Sequence, residues 1–266
     1  MTGTDSSDWL GLSGRVCVVT GGGGGIGRAT ALSFAKAGAR VAAIDLDERG
    51  LEVTRAELGA GHVIARCDTS SIESVTSASA TIEKSLGPCH VLVNTAAVLR
   101  PGALDTLSLA EWNAVLAVNL TGYFVCAQVF GRPMRTHRRG SLVHVASIAG
   151  SHAQGQSGAY SVSKAGVIML SRQLANEWGP HGIRSNVVSP GMVITPMSQS
   201  FYDTAGVTER RSAVVPMRRV GMPQDMADAI LFLASNRASY VNGDEITVDG
   251  GYANMLMNLV PRPGFE

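Results

Sequence analysis

Tyr160 and Lys164 stand four residues apart in the stretch YSVSK. In a helix that spacing puts a phenol and an ammonium on one face. A free tyrosine titrates near about 10, too high for efficient proton transfer at neutral pH. A neighbouring cation favours the phenolate and lowers that value, so the pair is a candidate general acid/base. The spacing alone is common, and two further residues give it meaning. Ser147 ends the apolar run SLVHVAS, thirteen residues before Tyr160, where a hydroxyl could donate to a substrate oxygen as its charge changes. Asn119, in VLAVNLTG, falls inside a long apolar helical pattern, where asparagine is mildly unfavourable and needs a reason. Two reasons are open: it binds a water beside Lys164, or it bonds to a neighbouring main chain.

A second constellation lies near the N-terminus. Six glycines fall within the eight residues Thr20 to Gly27, between an apolar run and a helical pattern. A helix N-terminus presents unpaired N–H groups and partial positive charge, which suits a pyrophosphate, and glycine lets the backbone approach it. Two registers fit. G-x-G-x-x-G is met by Gly22, Gly24 and Gly27, and G-x-x-x-G-x-G by Gly21, Gly25 and Gly27. The next apolar run, VAAID, ends in Asp45, eighteen residues beyond Gly27. A carboxylate there accepts bonds from ribose hydroxyls and repels a 2′-phosphate. With no cation at Gly24 or Leu46 to offset it, the electrostatics favour NAD over NADP. The bland alternative is that Asp45 only caps the following helix.

These residues must be brought to one place. Apolar runs at 15–20, 40–45, 62–67, 90–95, 141–147, 183–190 and 244–250 read as strands, most of them unbroken enough to be covered on both faces. Helical patterns near 26–37, 47–58, 70–85, 108–135, 159–178 and 223–235 alternate with them. That alternation predicts an α/β Rossmann fold with a doubly wound parallel sheet. Ligands of such sheets bind at the carboxyl ends of the strands, the edge that would carry the glycine run, Asp45, Asn94 and Ser147. No linker divides the chain. Residues 1–11 read as a tail and 12–266 as one dinucleotide-binding domain, with an irregular substrate loop at about 192–222. The final stretch YANMLMNLVPRPGFE is apolar until Pro261 and should pack on its own domain or on a neighbouring subunit.

Composition bounds the reading. The 266 residues are 45% hydrophobic and 16% charged, enough apolar material for a sizeable core. Twenty-two basic and 21 acidic residues leave a net charge of +1, with no basic footprint for nucleic acid. The short basic patch from Arg135 to Gly140 reads as a solvated helix end. Cys17, Cys67, Cys89 and Cys126 lie far apart without metal-ligand spacing and read as buried free thiols. The six histidines form no metal-binding motif, and His144 reads as a packed core residue. No metal is expected. No run looks long enough to span a bilayer, and the polar N-terminus lacks a secretory pattern. The expectation is a soluble cytoplasmic protein.

Taken together, T-G-x-x-x-G-I-G (Thr20 to Gly27), Asp45, CDT with Asp68, NTAA from Asn94, VNLTG with Asn119, Ser147, YSVSK and SPG (Ser189 to Gly191) resemble the short-chain dehydrogenase/reductase family of the classical type, over roughly residues 12 to 251. The resemblance implies the register Gly21, Gly25, Gly27, with Ile26 among the cofactor contacts. It implies that Tyr160 is the general acid/base and that Lys164 also holds the nicotinamide ribose. Ser147 would orient the substrate, and Asn119 would anchor a water in a proton relay. Asp68 would lie at the adenine, Asn94 near the adenosine side, and Val193 and Thr195 at the carboxamide. Ala97 stands where the family usually has glycine.

The implied reaction is NAD-dependent interconversion of a secondary alcohol (polyol, sugar-like or hydroxysteroid-like) and its ketone. Alternatives are reduction of a 3-oxoacyl thioester, disfavoured by Asp45, and a nucleotide-binding regulator that has lost catalysis, disfavoured by the complete Asn119, Ser147, Tyr160 and Lys164 set. His152 reads as an exposed loop residue. The two long helices carry more apolar residues than one sheet face needs, and the resemblance implies that they form the contacts of a homotetramer.

Overall fold

The computed structural model describes residues 8–261 and Gly264. Seven strands form one parallel sheet: β1 (Val16–Thr20), β2 (Arg40–Asp45), β3 (Val63–Arg66), β4 (Val91–Asn94), β5 (Gly140–Val145), β6 (Ile183–Pro190) and β7 (Glu245–Val248). Their order is β3-β2-β1-β4-β5-β6-β7, and every neighbouring pair is parallel. The doubly wound sheet expected from the alternating runs is present. The order reverses direction between β1 and β4, and this switch point opens a crevice at the carboxyl edge.

The helices are α1 (Gly25–Lys36), α2 (Glu48–Leu58), α3 (Ile72–Leu86), α4 (Leu109–Leu116), α5 (Gly122–His137), α6 (Ile148–Ser151), α7 (Tyr160–Trp178), α8 (Gln199–Tyr202), α9 (Val207–Val214) and α10 (Pro223–Ala234). Strand side chains alternate between two cores, as the pleat requires. Val16 and Val18 join Val75 and Ile82 of α3, Phe130 of α5 and Trp178 of α7 on one face. Cys17 and Val19 join Ala31 and Phe34 of α1 and Ile230 and Leu233 of α10 on the other.

The helix expected over 108–135 is built differently. A π-helical turn, Ala117–Thr121, separates α4 from α5 and carries Asn119. Such turns insert one extra residue into a helix and often mark functional positions. The combined segment Leu109–His137 is also long and apolar enough to cross a membrane by length and composition, which corrects the expectation that no run qualifies. More than half of its most apolar window is buried in the fold, as for a core helix.

The irregular stretch 192–222 holds α8 and α9, two short helices whose apolar residues show no period because neither has a buried face. In the final stretch Tyr252, Leu256, Met257 and Val260 are exposed and Ala253 and Met255 are half-buried, and residues 262, 263, 265 and 266 lie outside the described residues. All four cysteines are buried and free.

Candidate active site

The glycine run forms the turn from β1 into α1. Gly21 and Gly25 hold φ of +66° and +50°, the left-handed region that other residues rarely enter. Gly27 is required for a different reason, since a Cβ there would collide with the Gly21 carbonyl oxygen. Gly24 is extended, and the nearest atom to a Cβ there, Pro196 Cγ, is 3.6 Å away. Gly22 is also close-packed, a Cβ there falling 2.7 Å from Ala43 Cβ, so what favours the register Gly21, Gly25 and Gly27 is the left-handed backbone at the first two and the room at Gly24. The N-terminus of α1 has no side-chain cap and no acidic residue in its first turn. Its free N–H groups face a cavity of ≈ 820 Å³, and this is the donor set a pyrophosphate fits.

The turn is braced by groups that spacing did not reveal. Thr20 Oγ1 accepts from Thr95 N and Ala96 N at 3.0 and 3.1 Å, tying the ends of β1 and β4 together. Arg28 donates to the carbonyls of Gly23 and Gly50 and, through Nε, to Thr54 Oγ1.

Asp45 lines the cavity. Its Oδ2 accepts from Gly23 N at 2.9 Å and its Oδ1 from Asp47 N at 3.0 Å. The cap of α2 is Asp47, which accepts from Arg49 N, so the helix-capping reading of Asp45 falls. Asp68 lines the same end and accepts from Ser70 N and Oγ. Ile26, Ala97, Val193 and Thr195 also face the cavity.

Asn94 corrects an expectation. It is fully buried behind the strand end rather than facing the cavity. Its Nδ2 donates to Tyr123 O at 3.3 Å and lies 3.1 Å from His144 Nδ1. Through Nδ2 the residue joins β4 to α5 and β5, while its buried Oδ1 has no partner among the described residues. His144 is a core residue, stacked on Tyr123 at 5.9 Å, and burial pushes its pKa down to about 3.

Ser147, Tyr160 and Lys164 meet on the cavity floor. Ser147 lies just past β5, where its Oγ accepts from Ala149 N and caps α6. Tyr160 opens α7, and Lys164 follows one turn later, 1% exposed. Desolvation pushes Lys164 down to about 7. Its Nζ donates to Val145 O at 2.9 Å and Tyr123 Oη at 3.3 Å, and lies 5.7 Å from the centroid of the Tyr160 ring.

The electrostatics of Tyr160 differ from the expectation. Burial raises its pKa, and the group opposing that rise is the Ser147 hydroxyl rather than the ammonium. The physical reason is that Lys164 addresses the ring while its protons go to Tyr123 and Val145.

Asn119 is buried and bonds to main chain, the second of its two readings. Its Oδ1 accepts from Val98 N at 2.8 Å, and its Nδ2 donates to Val98 O at 2.9 Å and Ser163 Oγ at 3.2 Å. The side chain staples the loop after β4 to the first turn of α7, next to Lys164.

A family model described as enoyl-(acyl carrier protein) reductase matches residues 21–253. The chain belongs to the short-chain dehydrogenase/reductase family. Within that family it is similar to D-threitol dehydrogenase of Mycolicibacterium smegmatis, 38% identical over 244 residues that span 91% of this chain and 94% of the relative. It is also similar to the 3-oxoacyl-[acyl-carrier-protein] reductase of Thermotoga maritima, 37% identical over 90% of this chain and 98% of the relative. Among solved structures, levodione reductase superposes with a TM-score of 0.87 at 30% identity, covering 91% of this chain and 98% of that one. The chain is an oxidoreductase acting on CH–OH groups.

Proposed function

We propose that this short-chain dehydrogenase uses NAD to interconvert a polyol-like secondary alcohol and its ketone, with Tyr160 moving the hydroxyl proton. The observation that carries the reading is the convergence of Ser147, Tyr160 and Lys164 on the floor of a cavity whose other end is the uncapped glycine turn. Bound there, a nicotinamide dinucleotide would supply the hydride acceptor or donor.

The chain's residues do the rest. Gly21, Gly25, Ile26 and Gly27 shape the pyrophosphate cradle. Asp45 accepts from the adenosine ribose hydroxyls, and its charge, with Leu46 as its exposed neighbour, disfavours a 2′-phosphate. Asp68 borders the adenine end, and Val193 and Thr195 border the carboxamide. Ser147 donates to the substrate oxygen and holds it against Tyr160. Tyr160 takes the proton in oxidation and returns it in reduction. Lys164 keeps a positive charge beside the Tyr160 ring and donates to the nicotinamide ribose. Asn119 acts on this machinery through the loop and helix it joins.

The resemblance to a threitol dehydrogenase supports a polyol-like substrate, and so do His152 and Gln154 on the cavity wall. A second reading, reduction of a 3-oxoacyl thioester, is supported by the reductase relative, with Asp45 weighing against the phosphorylated cofactor such reductions usually take. Absorbance of reduced nicotinamide, followed over threitol, longer polyols, hydroxysteroids and a 3-oxoacyl thioester, decides between them. Oxidation of a polyol with NAD is the expected result. Turnover of the thioester alone would replace the first reading with the second.

A further inference from the structure

The charged side chains that line the cavity are unevenly placed. Asp45, Asp47 and Asp68 stand at the adenosine end and Lys164 on the floor, while Arg211 lies on the wall formed by the segment after β6. Arg211 belongs to α9, and its guanidinium lies 4.8 Å from the ring centroid of Tyr202 and 5.3 Å from that of Phe201, both on α8 and both on the same wall. Among the described residues it has no carboxylate within ion-pair distance and no hydrogen-bond acceptor. Of the neighbouring arginines, Arg219 grips both oxygens of Asp225 at 2.7 Å and Arg218 donates to Ala213 O at 2.6 Å, while Arg210 is exposed and lies outside the cavity lining. Asp203, the residue that ends α8, accepts from Gln199. A second polar group on this wall is also unmatched: the Tyr202 hydroxyl is shielded from solvent and has no hydrogen-bond partner.

Contact with the two rings shields part of the guanidinium from water and leaves its N–H edge without a partner. That edge is a planar fork whose best partner is a carboxylate or phosphate. We propose that Arg211 and the Tyr202 hydroxyl form an anion subsite, and that the alcohol this enzyme oxidises carries a carboxylate or phosphate group. The inference deepens the polyol reading and rests on it.

The test uses the purified full chain and three compounds with one four-carbon backbone: threitol, its acid threonate, and threitol phosphate. Turnover with NAD is measured as kcat/KM, and binding to the NADH-loaded enzyme by calorimetric titration. One or both anionic compounds should exceed threitol by roughly ten- to a hundredfold, the span of a charge-assisted bond. The better of the two identifies the group. Arg211→Met should erase that ratio, Arg211→Lys should keep part of it, and Tyr202→Phe should reduce it, each with an unchanged melting temperature. Equal or better use and binding of neutral threitol by the wild type, or a ratio that survives Arg211→Met, overturns the subsite. Threitol oxidation without an anion preference removes the subsite and leaves the polyol reading intact. Arg211-dependent binding of the anions with no oxidation of any compound keeps the subsite and removes that reading.

Discussion

Lys164 Nζ donates to the hydroxyl of Tyr123 at 3.3 Å, and the same hydroxyl donates to Val145 O at 3.1 Å. The most buried charge in the site is thus held from below by a tyrosine that belongs to the core. Tyr123→Phe keeps the ring, whose centroid lies 5.0 Å from Nζ, and removes the acceptor. The charged form of Lys164 then loses support, and its pKa, already lowered to about 7, falls further. The limb of the pH–rate profile that reports loss of the ammonium should move to lower pH by roughly half to one unit. An unmoved limb would deny Tyr123 this role.

The same lysine gives stability a sign. Between its folded value of about 7 and the ordinary 10.5, the unfolded chain binds the extra proton, so this group's contribution rises with pH across that window. The melting temperature of wild type relative to Lys164→Met should therefore rise from pH 7 toward pH 10. A pH-independent difference would mean that Lys164 titrates normally.

Asp45 and Leu46 set the cofactor. The pair Asp45→Ser with Leu46→Arg removes the repelling carboxylate and supplies a cation. The ratio of NAD to NADP affinity should fall by roughly a hundredfold, about 3 kcal/mol of differential binding. Fluorescence titration with both reduced cofactors measures it. Tighter binding of the phosphorylated cofactor to the wild type would refute the assignment.

The glycine run separates its own members. Gly27→Ala should cost about 1–3 kcal/mol, because the new methyl meets the Gly21 carbonyl. Gly24→Ala, whose Cβ would meet Pro196 Cγ at an ordinary 3.6 Å contact, should cost under about 0.5 kcal/mol. Denaturant unfolding of the two variants gives the comparison, and equal costs would contradict the turn geometry.

Phe124 on α5, and Val162 and Met169 on α7, are large apolar side chains left exposed on helices that otherwise build the core. We propose that they bury one another between subunits of a homotetramer. Phe124→Glu combined with Met169→Glu should lower the assembly state seen in sedimentation velocity. A wild type that sediments as a monomer would end this proposal.

Much of this was legible in the sequence because the relevant signals were local. All seven strands were visible as apolar-rich runs, since the inner strands are covered on both faces, and even β6, with Arg184, Ser185 and Asn186, keeps two valines at its centre. Glycine spacing left two registers, and only the left-handed backbone at Gly21 and Gly25 and the room at Gly24 separate them. Asn94 was misplaced because strand position fixes the edge a residue sits on, but not whether its side chain faces the cavity or the core. The lysine's effect on Tyr160 was misjudged for a similar reason. Helical spacing brings two side chains together, but the direction of the ammonium protons depends on Tyr123 and Val145, which lie far away in sequence. The π turn at Asn119 left no periodic trace, because a segment this uniformly apolar has no polar face whose phase an inserted residue could be seen to shift.

The central claim is that the Tyr160 phenol carries the proton of a secondary alcohol. Its most direct measurement is single-turnover oxidation by Tyr160→Phe with NAD binding shown to be intact. The account predicts a loss of at least about a hundredfold, the usual contribution of a positioned acid/base. A rate within a few-fold of the wild type would contradict it.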